Sequence, residues 1–225
     1  GQLDLTRLFD PLAARALPGS LVLRGDDVAR DADGTCAVIG FPFLKNGSVT
    51  GATRPTASAG GLLRAWREHG AEVAAHIDGS YALVIVDAAR QCVFLAVDRF
   101  AIETLCYRTD GSTLAFSDRA DCVEGRGNEL DAQAIFDYLY FHMIPAPRTI
   151  FRRVRRLPAA RALLIDRQGV HESRHWPLNF DERSRPPFAT ASETFRRLIR
   201  ESVAEAVSGQ SRVGAFLSGG TDSST

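Results

Sequence analysis

"SYALVIVDAARQCVFLAVDRF", residues 80–100, places two strongly apolar runs on either side of the polar turn DAARQ. Such runs read as the two arms of a β-hairpin, and because they hardly alternate with polar residues, both faces of each arm are expected to be buried. Two further runs, TLCYR at 104–108 and STLAFS at 112–117, flank the turn signal Asp110-Gly111 and extend the pattern into an antiparallel meander.

Upstream of the hairpin, LLRAWREHG at 62–70 has helical spacing and a stop at Gly70. The Gly-, Ser-, Thr- and Pro-rich stretch 44–61 before it reads as loop. Short strands are expected at 21–24 (LVLR) and 36–43 (CAVIGFPF), and a helix at 3–16 (LDLTRLFDPLAARA). Downstream, LDAQAIFDYLYFHM at 130–143 repeats apolar residues every three to four positions and ends at Ile144-Pro145-Ala146-Pro147, which predicts a helix. Strands follow at 161–166 (RALLID) and 169–176 (GVHESRHW). Residues 1–176 are thus read as one α+β domain.

The polar, proline-rich stretch from 177 to 191 reads as an inter-domain linker. From Ser192 an amphipathic helix is expected, apolar at Phe195, Leu198, Ile199, Val203 and Val207. A short buried strand, Val213 to Leu217, then runs into Ser218-Gly219-Gly220. Helix, strand and Gly-rich turn predict the opening of an α/β domain over 192–225.

A strand that turns through glycines into a helix leaves N–H groups facing outward, where an anion such as phosphate is favoured. No lysine follows the glycines, so this is not a Walker A loop. It is not a nucleophile elbow either, since Phe216 stands where glycine would be required.

Lys plus Arg equals Asp plus Glu at 27 each, which gives no electrostatic case for nucleic acid or a membrane surface. The basic cluster RTIFRRVRR at 148–156 reads as a solvated face. No run approaches a membrane span and the start lacks a signal peptide's regions, so a cytoplasmic protein is expected. The four cysteines, Cys36, Cys92, Cys106 and Cys122, lack zinc or disulfide spacing and read mostly as small buried residues. The five histidines share no metal-ligand spacing. Asp26-Asp27 reads as solvated loop, and Tyr138, Tyr140 and Phe141 as core or domain-interface anchors.

FLSGGTDSS at 216–224 resembles the pyrophosphate-binding loop of the asparagine synthetase family. Residues 76–108 resemble that family's amidotransferase hairpin, FSD at 116–118 the strand after it, and 138–166 the segment closing the amidotransferase domain. The resemblance implies an Ntn-type four-layer α/β/β/α sandwich of antiparallel sheets followed by a PP-loop synthetase domain. In the family the first domain releases ammonia from glutamine with an N-terminal cysteine. The second adenylates a carboxylate with ATP and Mg²⁺, releasing pyrophosphate, and an amine attacks the acyl adenylate. Carried over, Leu217 lies beside the adenosine, and Ser218, Gly219, Gly220, Asp222 and Ser223 cradle pyrophosphate, with Asp222 as a candidate Mg²⁺ ligand. The partners implied are a small-molecule or peptide carboxylate and an amine, and a homodimer stays open.

The glutaminase half departs from the pattern. The chain begins Gly1-Gln2 and its first cysteine is Cys36. The family's Asn-Gly-Glu stretch, which binds glutamine and forms an oxyanion hole, corresponds to IGFPF with Gly40 and Phe41. Its glutamine-binding aspartate should fall near TASAGGLL, where no acid stands, and Ala101, Glu103 and Thr104 replace a Gly, a basic residue and a Pro. Glutamine hydrolysis is therefore not expected, as in β-lactam synthetases and lasso-peptide cyclases, which use an amine already on the substrate. Two residues follow Ser223, so this chain is expected to be an inert N-terminal part of a longer ligase. A non-catalytic binding module, its pocket filled by residues such as Phe41, is the alternative.

Overall fold

A computed structural model describes residues 2–4, 26–45, 56–110, 113–123, 129–181, 183, 185–207 and 212–221. The expected strand at 21–24 lies outside them, as does most of the expected helix at 3–16. Residues 2–4 of that helix region instead form β1, Gln2–Asp4, paired antiparallel with the strand Thr113–Ser117.

Strands β2 (Asp27–Arg30), β3 (Gly34–Leu44), β4 (Ile77–Asp87), β5 (Cys92–Val97), β9 (Arg161–Asp166) and β10 (Gly169–Arg174) form a six-stranded sheet in the order β10-β9-β5-β4-β3-β2. Strands β6 (Cys106–Thr109), β7 (Thr113–Ser117) and β8 (Arg155–Arg156) join β1 in a four-stranded sheet, β1-β7-β6-β8. Every pairing is antiparallel.

The two arms of the opening hairpin form β4 and β5, in register from Ala82↔Val97 to Asp87↔Cys92. The single meander expected from 80 to 117 does not form, because the chain changes sheets between β5 and β6. Alternation reports which face of a strand is buried; it cannot report which of two sheets the strand joins.

Both faces of β4 are apolar because each faces its own core. Ala82, Val84 and Val86 point between the sheets, where they meet Leu95, Val97, Tyr107, Leu114, Phe116 and Leu163. Tyr81, Leu83 and Ile85 point outward to Leu62, Leu63 and Trp66. Those last residues lie on α1 (Ala59–His69), which begins three residues before the expected start and stops at Gly70, as expected. Trp66 donates its indole N–H to Asp87 Oδ2 at 2.7 Å, so its polar edge is satisfied inside the core.

On the other side, α2 (Ala120–Val123) sets Val123 with Cys106, Ala115 and Val154 on the outer face of the four-stranded sheet. The order is helix, sheet, sheet, helix: the α+β sandwich of antiparallel sheets expected from the resemblance. Helix α3 (Ala132–Phe141) is capped by Asp131, whose carboxylate accepts from Gln133 N–H at 3.0 Å. Ala134 is buried, but Tyr138, Tyr140 and Phe141 are exposed, so they are not core residues.

Arg148, Arg152, Arg153 and Arg155 of the basic cluster are exposed, as expected of a solvated face, and some of its arginines are also paired. Arg148 lies 3.6 Å from Asp131 and 3.7 Å from Asp137, Arg152 pairs with Glu129 at 3.2 Å, and Arg156 donates to Ile144 O.

The chain divides into two units, residues 1–46 with 56–178, and residues 47–55 with 179–225. In the second, α4 (Phe188–Val207) begins four residues before the expected Ser192, inside the stretch read as linker. Residues 213–217 form no strand, and no described residue pairs with them.

Candidate functional site

Two places bear on chemistry, the stretch of β3 around Gly40 and the loop Leu217–Thr221. At the first, β3 and β4 approach closely where Gly40 faces Tyr81 and Pro42 faces Gly79. Gly40 takes φ +91° and Gly79 φ +89°, values that side chains resist. A Cβ at Gly40 would lie 2.4 Å from the Ser80 carbonyl oxygen and 2.8 Å from Glu103 Cγ, so glycine is required there.

Asp98, at the end of β5, organises the opposite wall. It is 1% exposed. Its Oδ1 accepts from Phe100 N–H at 2.9 Å and Ile102 N–H at 3.2 Å, and its Oδ2 accepts from Glu103 N–H at 3.1 Å and Tyr81 N–H at 3.2 Å. Its own N–H donates to Tyr81 O at 2.9 Å, and its carbonyl accepts from Ala101 N–H at 3.2 Å and Ala160 N–H at 2.9 Å. The turn so gathered holds Ala101 at φ +51° and presents Glu103 to Gly40. Burial, and then the charges of Asp26, Asp98 and Asp118, push the Glu103 carboxyl above the ordinary glutamate value. Beside it Arg99 pairs with Asp78 and lies over the Trp176 ring, 5.5 Å from its centroid.

Two main-chain donors near this stretch are engaged by aspartates. Gly40 N–H donates to Asp26 Oδ2 at 2.8 Å, and Ala59 N–H, at the start of α1, donates to Asp27 Oδ2 at 2.6 Å. Ser58 caps the same helix, its Oγ accepting from Gly61 N–H at 3.2 Å. Asp26 and Asp27 are exposed, as the solvated-loop reading expects, but Asp27 opens β2, a strand the sequence reading missed, and both carboxylates bond to distant main chain. The signal of β2 is weak, since a short polar edge strand has neither apolar period nor turn chemistry. Phe41, expected to fill the glutaminase pocket, is 54% exposed.

No thiol here is poised for attack. Cys36 and Cys92 are pushed up to about 12 and Cys106 to about 11, chiefly by burial, whereas a nucleophilic cysteine needs its thiolate favoured. Cys122 is exposed on α2, away from the sheet interior. The rings of His69 and His76 stack 3.8 Å apart, and among the described residues no three His, Cys, Asp or Glu side chains form a metal-binding group.

At the second place, Leu217, Ser218, Gly219 and Gly220 are exposed. Gly219 takes φ +73°, and a Cβ there would meet nothing within 4 Å. Gly220 N–H donates to Ser218 Oγ at 3.4 Å. Asp222 and Ser223 lie outside the described residues, so the structure places four of the six expected site residues together on one open loop. No described helix is long and apolar enough to cross a membrane.

Comparison with known proteins bears on both places. A family model described as a glutamine amidotransferase domain matches residues 48–176, and one described as asparagine synthase matches residues 194–225. A putative glutamine-hydrolyzing asparagine synthetase of Mycobacterium bovis is 32% identical over 178 residues, 72% of this chain and 26% of that protein. The glutamine-hydrolyzing asparagine synthetase 1 of Bacillus subtilis is 27% identical over 170 residues, covering 72% and 26%. The chain thus spans about a quarter of the length of these curated relatives. A solved glutamine phosphoribosylpyrophosphate amidotransferase from B. subtilis aligns with TM-score 0.38 and 14% identity, over 68% of this chain and 31% of that one. With an amidotransferase domain filling most of its length and the start of a synthase segment after it, the chain belongs to the asparagine synthetase family of Ntn-type glutamine amidotransferases.

Proposed function

We propose that this chain is the N-terminal part of an ATP-dependent, AMP-forming amide ligase whose amidotransferase half does not hydrolyse glutamine. The observation that carries the ligase reading is the loop Ser218–Thr221, which lies in the segment matching asparagine synthase and has Gly219 in the left-handed region with open space around it. Small residues, a hydroxyl and open space beside Gly219 suit a pyrophosphate group. ATP would supply an activated carboxylate, as an acyl adenylate, with pyrophosphate leaving. Ser218, Gly219, Gly220 and Ser223 would hold the departing pyrophosphate, Leu217 would lie against the adenosine, and Asp222 would hold Mg²⁺. Hydrogen-bond donors fixed where charge develops are the usual source of such catalysis.

The loss of glutaminase chemistry is supported by IGFPF, where Gly40 and Phe41 stand in the family's Asn-Gly-Glu stretch, and by the lack of an acid in TASAGGLL. The amine would then come with the substrate or from another protein.

The test uses a protein that carries this chain together with a complete synthetase domain. Pyrophosphate release should depend on an added amine and disappear in Asp222→Ala, while glutamine should yield no glutamate. Unchanged release in Asp222→Ala would remove that residue from the site. Steady glutamate production would overturn the reading of the first half.

A further inference from the structure

Helix α3 carries the apolar stripe of a core helix on a side that the domain leaves exposed. Ala132, Ile135, Phe136, Leu139 and Tyr140 follow the i, i+3, i+4, i+7, i+8 spacing by which a helix normally lies against a core. All five are exposed, whereas the buried residues of the helix are Ala134 and Asp137. The inner side is thus held by a methyl group and by a carboxylate, which accepts from Gln133 Nε2 at 2.7 Å and lies 3.7 Å from Arg148. None of the three apolar clusters includes any residue of the stripe.

The rings along α3 form a continuous ridge. Phe136 and Tyr140 stack with centroids 6.2 Å apart, and Tyr140 meets Phe141 edge-on at 4.8 Å. Ile135, Phe136, Leu139, Tyr140, Phe141 and, just past the helix, Met143 are between 39% and 70% exposed. At about 200 Å² for a fully exposed large side chain, they show water roughly 700 Å² of mostly apolar surface. The largest apolar patch on a typical monomer is about 300–600 Å². Two such faces brought together would remove roughly 1,400 Å², within the range of about 1,200–2,000 Å² that a stable, specific interface buries. Apart from the buried Asp137, residues 132–143 include no Asp, Glu, Lys or Arg. The face therefore meets a copy of itself without like-charge contact, as an isologous interface requires.

We propose that α3 is a homodimer interface, its stripe packed against the same stripe of a second copy across a two-fold axis perpendicular to the helix. That axis sets the two helices antiparallel, each N-terminus beside the other's C-terminus, where the opposed dipoles attract. Phe136, Leu139 and Tyr140, in the middle of the ridge, are its anchors. The interface does not depend on whether the chain forms an amide or turns over glutamine.

The test is sedimentation equilibrium of the 225-residue chain across the micromolar range, which should give the mass of a dimer. Leu139 is already 70% exposed, so Leu139→Asp leaves the monomer's core intact. It should raise the dimer Kd at least about thirtyfold, as loss of a central anchor implies. Tyr140→Ala, which brings no charge, should raise it about tenfold. Leu198→Asp, on an exposed apolar position of α4, should leave it unchanged. Intact amide resonances from the β4–β5 ladder verify folding in each variant.

A monomer throughout that range, a dimer indifferent to both α3 variants, or one broken by Leu198→Asp would overturn the interface. In a protein that carries this chain together with a complete synthetase domain, the dimer should persist with the same sensitivity to Leu139→Asp. A monomer there, with the α3 amides protected from hydrogen exchange, would give the stripe to the synthetase domain and overturn the second copy as its occupant.

Discussion

Ala101 is held at φ +51° by hydrogen bonds that converge on Asp98, at a position where the asparagine synthetase pattern has glycine. A side chain in the left-handed region costs about 1–2 kcal/mol, and glycine gives back part of the gain through its larger unfolded-state entropy, roughly 0.5–1 kcal/mol. The Ala101 methyl also packs against the inter-sheet core, which reduces the gain further. Ala101→Gly is therefore expected to stabilise the chain by about 0.5 kcal/mol, seen as a higher urea midpoint with an unchanged slope. A lower midpoint would show that the methyl contact outweighs the backbone strain. This substitution was legible in the sequence, as were Glu103 and Thr104 beside it, because each replaces a residue of a recognisable motif. Asp26 and Asp27 were not legible, because they belong to no motif and act on residues 14 and 32 positions away.

Among the elements, β4 and β5 were readable because two cores, one on each face, leave no room for polar residues in either strand. Strand β10 was readable from its turn, though its exposed face makes it the weaker element. Its far end is secured by His175, whose N–H donates to Ala160 O at 3.0 Å and whose Nε2 lies 2.9 Å from Val97 O at the end of β5. Burial holds the His175 ring below the ordinary histidine pKa, against the pull of the Val97 carbonyl, and Lys45 and Arg99 push it the same way as burial. The folded chain therefore binds this proton less well than the unfolded chain. Its contribution to stability is complete above the ordinary histidine value, near 6.5, and is lost progressively as pH falls below it. The thermal midpoint should drop between pH 7.5 and 5.5 more steeply in the parent than in His175→Gln, to an extent set by about one proton. Parallel pH profiles would assign the drop to other groups.

For the molecule as a whole, the α+β class and the two-sheet sandwich could be anticipated, whereas the division of strands between sheets could not. The stretch 213–217 shows the same limit from the other side. Its residues have strand propensity, but a strand is stable only against partners, and no described residue is paired with it. The three apolar clusters draw their buried members from residues 36–165, and α4 contributes no buried residue. The energy of burial therefore resides in the first unit, since apolar area removed from water is the main stabilising term. It follows that a chain ending at Leu178 should unfold in one cooperative step, at the same midpoint and with nearly the same heat-capacity change as the 225-residue chain, measured by calorimetry. A midpoint lower by several degrees, or a second transition present only in the longer chain, would show that residues 179–225 bury surface of their own and would contradict the distribution of the core.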